Sequence, residues 1–399
     1  DYIIDLGPGA GVNGGQVVAS GTLKELMTQE NSITAQCLRA HKSYPARGER
    51  RPVARGGKGG EIVLTGAKIH NLKNLTVRFP LHRFICLTGV SGSGKSTLLR
   101  DCLFPAVRAK VARARSVKVP KGAGTVAGAE GLRAIYEVDQ SPIGRTLRSV
   151  PATYAEFFGD IRNLFAQLPE ARLRGYTAGR FSFNSAQGRC PECLGAGTIK
   201  LEMNFMPPAY VRCETCQGTR FNRETLDIEF HHLNIAQVLD LSVGQALAVF
   251  APFPKIARAL EALRDTGLDY LKLGQSSPTL SGGEAQRLKL VTHLLTGFRN
   301  DTPDLFGRSL FILEEPTVGL HMADVKRLVA AVQRLVDAGH TVIVIEHNLD
   351  LIAEADWVID LGPEGGGGGG RIVGEGTPET IAKNKQSYTG RFLRPLFFP

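Results

Sequence analysis

One nonapeptide constrains the fold of this chain more than any other stretch. GVSGSGKST, residues 89–97, fits the pattern G-x-x-x-x-G-K-[ST] and lies between the apolar run FICLTGV and the helix-like pattern STLLRDCLFPAV. A glycine-rich turn between a strand and a helix exposes backbone N–H groups to phosphate, and the helix dipole favours the same anion. The pattern therefore predicts an α/β domain that binds a nucleotide. The residues predicted to hold it are Gly89, Val90, Ser91, Gly92, Ser93, Gly94, Lys95, Ser96 and Thr97.

Two further apolar runs extend the prediction of an α/β domain. SLFILEE and TVIVIEH are continuous, rich in β-branched residues and separated by the helical pattern ADVKRLVAAVQRLVDAG. Continuous apolar strands joined by helices indicate a buried parallel sheet with crossover helices. In the glycine-rich loop, we expect Lys95 to contact the β- and γ-phosphates and the Ser96 hydroxyl to hold Mg²⁺.

The stretch LSGGEAQR, residues 280–287, resembles the signature motif of the ABC ATPase family. In that family the signature of one cassette closes over the γ-phosphate that the glycine-rich loop of another cassette holds. The physical basis is a second helix N-terminus with bare backbone N–H groups. The signature residues that the resemblance implies for ATP binding are Ser281, Gly282, Gly283 and Glu284.

The same resemblance assigns roles to residues that follow the apolar runs. Glu315 is implied to be the general base on water, His347 the switch histidine near the γ-phosphate, and Gln140 the Q-loop residue. TVGLH, residues 317–321, stands where the family has its D-loop. The family usually has Asp before the catalytic Glu, whereas this chain has Glu314 as the expected Mg²⁺ ligand. The charge is kept and the carboxylate moves by about one bond length, so we expect reduced or retained hydrolysis.

Four cysteines form a pattern typical of a metal site. Two C-x-x-C pairs are separated by 19 residues, and each pair continues as C-x-G. The spacing fits a closed tetrahedral Zn²⁺ site of four thiolates, and no fifth ligand or open position is evident, which indicates a structural metal. The other cysteines are scattered, as in a protein of a reducing compartment. The predicted ligands are Cys190, Cys193, Cys213 and Cys216.

With a zinc module between Q-loop and signature, the chain resembles the UvrA family, the damage-recognition ATPases of bacterial nucleotide excision repair. The stretches that carry this resemblance are DQSPIGRTLRSVPATY, RGYTAGRFSFN, GRCPECLGAG, CETCQGTRFNRETL, LGQSSPTLSGGEAQR, EEPTVGLH and VIEHNLDLIAEADWVIDLGPEGG. The resemblance implies an ABC-type α/β fold with an inserted signature domain, the cofactors ATP, Mg²⁺ and Zn²⁺, a cytoplasmic location, and a role in the excinuclease system and the SOS response. It also implies a dimer that binds damaged double-stranded DNA and passes the lesion to UvrB, although this sequence lacks the region that the family uses for UvrB.

The charge distribution bears on the expected DNA partner. Residues 39–121 contain 19 Lys or Arg against three acids, in a chain of net charge +10. Such a segment favours nucleic acid, and on charge alone a solvated basic face with no partner stays open. The resemblance places Arg145 and Arg148 just after the Q-loop, where we expect sequence-independent, salt-sensitive contacts to the DNA backbone. Further candidates, equally compatible with surface salt bridges, are Arg174, Arg180, Arg189, Lys200 and Arg212.

The chain begins with a copy of its own ending. Twelve of the 22 positions in DYIIDLGPGAGVNGGQVVASGT, from Asp1, are identical to DWVIDLGPEGGGGGGRIVGEGT, from Asp356. A repeat at fixed offset indicates a structural unit that occurs more than once, and the UvrA family is a tandem of two cassettes. The predicted segments are the tail of a preceding cassette (1–40), a mobile basic linker (41–60), an ATP-binding lobe (61–140 and 276–385), the inserted signature domain (141–275, with the zinc module at 190–216) and a C-terminal tail (386–399).

Three functions are compatible with these motifs. The first is a DNA-binding ATPase of lesion recognition, which needs self-association or pairing with a separate first cassette, because Lys95 and Ser281 must come from different cassettes. The second is the ATPase subunit of a membrane exporter, which the zinc insert and the basic residues disfavour. The third is a remnant that binds nucleotide or DNA without turnover, an alternative raised by Glu314 and by the incomplete first unit. No apolar run of about 18 residues predicts a membrane span.

Overall fold

The computed structural model describes residues 1–9, 11, 14–53, 60–111, 117–144, 146–203, 206–297 and 308–398. The chain divides into a first unit, made of Asp1–Pro8, Gly14–Gln140 and Thr296–Pro399, and a second unit, made of Gly9–Asn13 and Ser141–Leu295. The strands are β1 (Ile3–Gly7), β2 (Gln16–Gly21), β3 (Glu61–Ala67), β4 (Leu75–Pro80), β5 (Phe84–Gly89), β6 (Thr125–Ala127), β7 (Ala134–Val138), β8 (Thr198–Met203), β9 (Met206–Arg212), β10 (Glu229–Phe230), β11 (Leu233–Asn234), β12 (Ser309–Glu314), β13 (Thr341–Ile345), β14 (Trp357–Gly362) and β15 (Arg371–Gly376).

The helices are α1 (Leu23–Thr28), α2 (Ile33–Arg39), α3 (Phe104–Val111), α4 (Pro151–Tyr154), α5 (Phe158–Gln167), α6 (Pro169–Leu173), α7 (Arg223–Leu226), α8 (Ile235–Asp240), α9 (Val243–Phe250), α10 (Pro254–Asp265), α11 (Gly282–Gly297), α12 (Met322–Asp337), α13 (Leu349–Glu354), α14 (Pro378–Lys383) and α15 (Tyr388–Phe397). A π-helical stretch, Thr97–Leu103, precedes α3, and short 3₁₀ turns occupy Ser277–Thr279 and Gly366–Gly368. Among the described residues, no helix combines the length and the apolar composition that a membrane span requires.

The first unit is built on a mainly parallel sheet with the strand order β15-β14-β5-β13-β12-β7. Every residue of β5, β13 and β14 is buried, as expected for strands covered on both faces by helices and a second sheet. Strand β5 runs parallel to β13 and β14, and β12 runs parallel to β13 and β7, while β15 closes one edge antiparallel to β14. The parallel strands therefore end at a common edge, and open α/β sheets bind ligands at that carboxyl edge.

A smaller antiparallel sheet, ordered β4-β3-β6, shares a core with the π-helical stretch and with the main sheet. Buried residues alternate with more exposed ones along β3 and β4, as expected for a sheet with one face toward solvent. The core residues from strand β3 are Ile62, Leu64 and Ala67. They belong to the same cluster as Leu98, Leu99 and Leu103 of the π-helical stretch.

The two copies of the internal repeat have the same local structure. Strands β1 and β2 followed by α1 and α2 correspond to β14 and β15 followed by α14 and α15. In the first copy the Ser32 and Thr34 hydroxyls donate to Asp5 at 2.6 and 2.7 Å. In the second copy Ser387 and Thr389 donate to Asp360 at 2.6 and 2.9 Å. The copies differ in their neighbours, because β14 also pairs with β5, whereas in the described part of the chain β1 pairs only with β2.

The segment that composition predicted to be a mobile linker makes specific contacts where the structure describes it. Arg51 pairs with Asp356 at 2.9 Å and with Asp337 at 2.5 Å, and Arg50 pairs with Glu379 at 2.6 Å. Residues 54–59 lie outside the described residues. The composition of the segment did not indicate these contacts, because the acids that hold these arginines lie about 300 residues away in sequence.

The second unit is helical around one apolar core. Helix α10 is amphipathic in the expected way, with Ile256, Ala259, Leu260 and Leu263 buried along one face. Residues 276–385 were predicted to belong to the ATP-binding lobe, but residues 276–295, which include the signature, lie in the second unit. The reason is packing, because Leu288 and Val291 of α11 are buried in the core of that unit.

Candidate functional site

The phosphate-binding loop (89–97) has the predicted strand–turn–helix setting. It leaves β5 at Gly89, whose φ is +133° and where a Cβ would lie 2.0 Å from the Leu361 carbonyl oxygen, so only glycine fits. Lys95 is folded over the loop, and its Nζ donates to the carbonyls of Gly89 and Val90, each at 2.9 Å. Burial lowers the pKa of Lys95. The side chain already points along the loop that is predicted to hold phosphates.

Two oxygen ligands suited to Mg²⁺ meet beside this loop. The Ser96 hydroxyl donates to Oε1 of Glu314 at 2.6 Å, and Arg100 pairs with Oε2 at 3.0 Å. Arg100 also pairs with Glu137 at 2.8 Å. A hydroxyl and a carboxylate are the donor set that Mg²⁺ uses together with substrate phosphates. The longer side chain of Glu314 therefore reaches Ser96, and the pair fits the predicted metal role.

The three predicted catalytic residues lie at the same edge of the sheet. Glu315 follows β12, and its Oε1 lies 3.8 Å from Nε2 of His347, which follows β13. Gln140 follows β7, and its side-chain amide donates to the Glu315 backbone carbonyl at 3.4 Å. Glu315 has a φ of +44°, a left-handed conformation that is uncommon for a non-glycine residue and that clusters at functional sites. The structure thus brings the three residues together.

The signature residues (281–284) begin α11 in the second unit. The Ser281 hydroxyl accepts from the Glu284 N–H at 3.2 Å, and the Glu284 carboxylate accepts from the Ser281 N–H at 2.8 Å. This reciprocal capping box leaves Gly282 and Gly283 in the first turn of the helix. The other Glu284 oxygen accepts from the Tyr270 hydroxyl at 2.6 Å. Glu284, predicted as an ATP ligand, therefore uses its carboxylate to cap the helix and to hold Tyr270.

The four predicted zinc ligands converge. The Sγ atoms of Cys190, Cys193, Cys213 and Cys216 all lie within 4.8 Å of one another and are buried. The Sγ–Sγ distances of 4.0 and 3.6 Å bracket the separation of about 3.8 Å expected when Zn–S bonds of about 2.3 Å point to the corners of a tetrahedron. Hydrogen bonding from the Cys216 backbone N–H lowers the pKa of the Cys213 thiol to about 7. The cluster fits a closed Zn²⁺ site.

Each knuckle of the cysteine module turns on a pair of residues with positive φ. In the first they are Leu194 and Gly195, and in the second they are Gln217 and Gly218. The β8–β9 hairpin connects the two knuckles, so both cysteine pairs are presented by one short, local substructure.

The residues predicted to bind DNA fall into two groups. Three of them already have acidic partners: Arg174 pairs with Glu170 and Asp227, Arg180 with Glu224, and Lys200 with Glu202. The side chains of Arg148 and Arg189 have no ion pair or hydrogen bond among the residues that the structure describes, and Arg212 donates to the Gln217 carbonyl. Arg145 lies outside the described residues.

Arg148 and Arg212 line one cavity of about 780 Å³ in the second unit. The same cavity is lined by Tyr210, which is 54% exposed, and by Arg220, whose Nη2 donates to the Gly274 carbonyl at 3.1 Å and to Ser276 Oγ at 2.9 Å. A cationic cavity with an exposed aromatic ring suits a nucleic-acid backbone and a base. The sequence reasoning missed Tyr210 and Arg220, although both are close to the cysteine motifs in sequence.

The sequence reasoning also missed how the glycine run 365–370 supports the phosphate-binding loop. The Gly366 N–H donates to the Gly92 carbonyl, and the Gly370 N–H to the Ser93 carbonyl, each at 3.0 Å. At Gly370, whose φ is +74°, a Cβ would lie 2.0 Å from the Asn71 carbonyl oxygen. The close approach of two backbones explains why side chains are absent there.

The chain is similar to known proteins both in sequence and in structure. No family model matches the chain. It is 54% identical over 393 residues to "UvrABC system protein A" of Thermus thermophilus and 53% identical over 397 residues to that of Aquifex aeolicus, matches that cover 98% and 99% of this chain. They cover 40% and 41% of the relatives, so the chain spans about two-fifths of the length of these curated relatives.

Among solved structures, the crystal structure of UvrA2 from Deinococcus radiodurans is 44% identical to this chain, with a TM-score of 0.88. The match covers 99% of this chain and 46% of that one. The likeness confirms the predicted fold class, an α/β ABC-type domain with an inserted signature domain that carries the cysteine module.

Proposed function

Because the chain belongs to the UvrA family, we propose that it is the ATP-hydrolysing, DNA-binding second cassette of a nucleotide excision repair protein. The observation that carries this proposal is the convergence at one sheet edge of Lys95, the Ser96–Glu314 pair and the Glu315–His347 pair. Transfer of a phosphoryl group to water needs a cation for the phosphates, oxygen ligands for the metal and a base for the water, all at one site.

Each residue at this edge has a distinct role in the proposed reaction. Lys95 exchanges its contacts with the loop carbonyls for the β- and γ-phosphates of ATP. Glu315 orients the attacking water and accepts its proton, and His347 hydrogen-bonds the γ-phosphate. Ser96 and Glu314 would hold Mg²⁺, which would neutralise phosphate charge.

The signature residues complete the site from another cassette. A helix N-terminus with bare N–H groups stabilises an added anion, and Gly282 and Gly283 leave that end of α11 without bulky side chains. We infer that Ser281 of one cassette faces Lys95 of a second copy or of a separate first cassette. Self-association or such pairing is therefore part of the proposed function.

The proposed macromolecular partner is damaged duplex DNA. Arg148, Arg189 and Arg212 are the cations best suited to contact it, since Arg174, Arg180 and Lys200 are occupied by acids in the same unit. Contacts of this kind neutralise phosphates without reading bases, which suits a protein that detects distortion of the duplex. A UvrB-like protein is the proposed partner of the longer protein to which this cassette corresponds.

Steady-state ATP hydrolysis by the purified chain tests the proposal. The rate is measured without DNA, with an intact duplex and with the same duplex carrying one bulky adduct. Glu315→Gln sets the background, and Glu375→Gln on β15 is a matched control at a distant carboxylate. We expect turnover above the Glu315→Gln background, unaffected by Glu375→Gln and changed by the adduct. A rate equal to that background under every condition would favour the non-hydrolysing remnant.

A further inference from the structure

A buried carboxylate next to the switch histidine takes no part in the reaction described above. Glu346 follows β13 directly and is only 2% exposed. Its Oε1 accepts from the Thr317 backbone N–H at 2.8 Å and from the Thr317 hydroxyl at 2.5 Å. Its Oε2 accepts from the backbone N–H groups of His347 at 2.7 Å and Asn348 at 2.9 Å. One side chain therefore holds two different loops.

The two loops are those that carry the proposed catalytic pair. Thr317 opens the D-loop (317–321), two residues after Glu315, and His347 and Asn348 form the turn before α13. The backbone adds one more contact, because the Glu315 N–H donates to the carbonyl of Ile345 at 2.8 Å. Glu346 and this backbone hydrogen bond together hold the two loops that place Glu315 Oε1 at 3.8 Å from His347 Nε2.

A carboxylate is the side chain that the donors of these two loops require. Four donors point at the two oxygens, and an ionised carboxylate has acceptors only, so every donor is satisfied by a charge-assisted bond. A glutamine would place an NH₂ group against either the Thr317 donors or the N–H groups of the switch turn. In both orientations donors would face donors, and one loop would be released.

We propose that Glu346 is a positioning residue that holds the D-loop and the switch histidine in register, so that Glu315 and His347 act on the same phosphate. The proposal rests on the ATP hydrolysis proposed above. Glu346 has no hydrogen bond or ion pair to the phosphate-binding loop among the described residues. It therefore acts on the rate of the chemical step and not on the binding of nucleotide.

The kinetic test compares three variants. Glu346→Gln should lower kcat about 10- to 100-fold, because misplacement of catalytic groups by about 1 Å has effects of that size, while KM for ATP stays within about threefold. Thr317→Val removes one donor and keeps its N–H, so a loss of about three- to tenfold is expected. If both act through one contact, the double variant should lose no more than Glu346→Gln alone.

Asp356→Asn is the matched structural control. Asp356 is also a buried carboxylate, 1% exposed, and it accepts from the Phe84 N–H at 2.9 Å and from Arg51. It precedes β14 and lies at the amino ends of β5 and β14, away from the catalytic edge. Both substitutions remove a buried charge, so both should lower stability. Only Glu346→Gln should lower kcat selectively, and an equal loss in Asp356→Asn would overturn the proposal.

Amide hydrogen exchange separates this proposal from the proposed function. In Glu346→Gln, peptides that contain Thr317 and residues 347–348 should exchange at least about tenfold faster, whereas Asp356→Asn should leave them unchanged. If the unsubstituted chain hydrolyses no ATP either alone or with an added first cassette, the proposed function fails, and the exchange rates still show whether Glu346 holds the two loops. Unchanged exchange in Glu346→Gln, or an unchanged kcat in a hydrolysing chain, would overturn the proposal.

Discussion

The Ser96 hydroxyl lies 2.6 Å from Oε1 of Glu314. Glu314 occupies the position at which ABC ATPases usually have an aspartate. We expect Glu314→Asp to keep kcat within about threefold at saturating Mg²⁺, because a water between the metal and the carboxylate can make up for the shorter side chain. The Mg²⁺ concentration for the half-maximal rate should change. Glu314→Gln removes the charge and should lower the rate at least about tenfold at every Mg²⁺ concentration. Equal Mg²⁺ titrations for the Gln variant and the unsubstituted chain would exclude a metal role for Glu314.

The cysteine cluster predicts a bound zinc ion. The unsubstituted chain should hold about one zinc per molecule, and Cys213→Ser should hold almost none, because the four thiolates form one closed site. Cys37→Ser, outside the cluster, is the control and should retain the metal. Metal content is measured after dialysis against a weak chelator. Full zinc occupancy in Cys213→Ser would show that the cluster is not the site.

The two copies of the repeat give a matched pair of aspartates. Asp360 is 2% exposed and accepts from Thr88, Ser387 and Thr389, whereas among the described residues Asp5 accepts from Ser32 and Thr34 alone. We expect Asp360→Asn to lower the free energy of unfolding by about 3 kcal/mol and Asp5→Asn by about 1 kcal/mol. Urea denaturation measures both, and equal losses would contradict the difference in packing.

The basic residues of the second unit should differ in their effect on DNA binding. Arg148→Ala should weaken binding to a duplex and lower the slope of log K against log salt by about one, because one phosphate contact is lost. Arg180→Ala is the control, since Glu224 holds that guanidinium and it lies 4.5 Å from the Tyr176 ring centroid. Identical salt slopes for Arg148→Ala and the unsubstituted chain would remove Arg148 from the DNA contacts.

Stability should fall as the pH is lowered, because of a half-buried histidine in the signature helix. Burial lowers the pKa of His293 to about 4, below the value of about 6.5 expected in the unfolded chain. The unfolded state therefore binds the proton first, and stability is lost as pH falls from about 6.5 to about 4, by on the order of 3 kcal/mol. His293→Gln should make this decline shallower, whereas His41→Gln at an exposed site should not. Parallel pH profiles for all three proteins would contradict the prediction.

The motifs that could be predicted from sequence are those whose binding residues lie close together along the chain. The phosphate-binding loop and the cysteine module are local, so their spacing alone indicated their geometry, and the α/β fold is confirmed. Glu346 reaches Thr317, 29 residues away, and Arg51 reaches Asp356, 305 residues away, and no local pattern distinguishes them from a solvated acid or a linker arginine. Glu284 was assigned to ATP by resemblance, whereas the capping box between Ser281 and Glu284 accounts for one of its carboxylate oxygens.

The most direct test of the account is whether two copies of the chain complete one nucleotide site. Lys95→Ala removes the phosphate-binding lysine and Ser281→Arg blocks the signature, so neither variant should hydrolyse ATP alone. Mixed in equal amounts, they should recover roughly a quarter of the unsubstituted rate, because half of the symmetric pairs are mixed and each mixed pair has one intact site. If the unsubstituted chain hydrolyses ATP and the mixture does not, the site is not shared between two copies, which contradicts the proposed pairing of Lys95 with Ser281 of another copy.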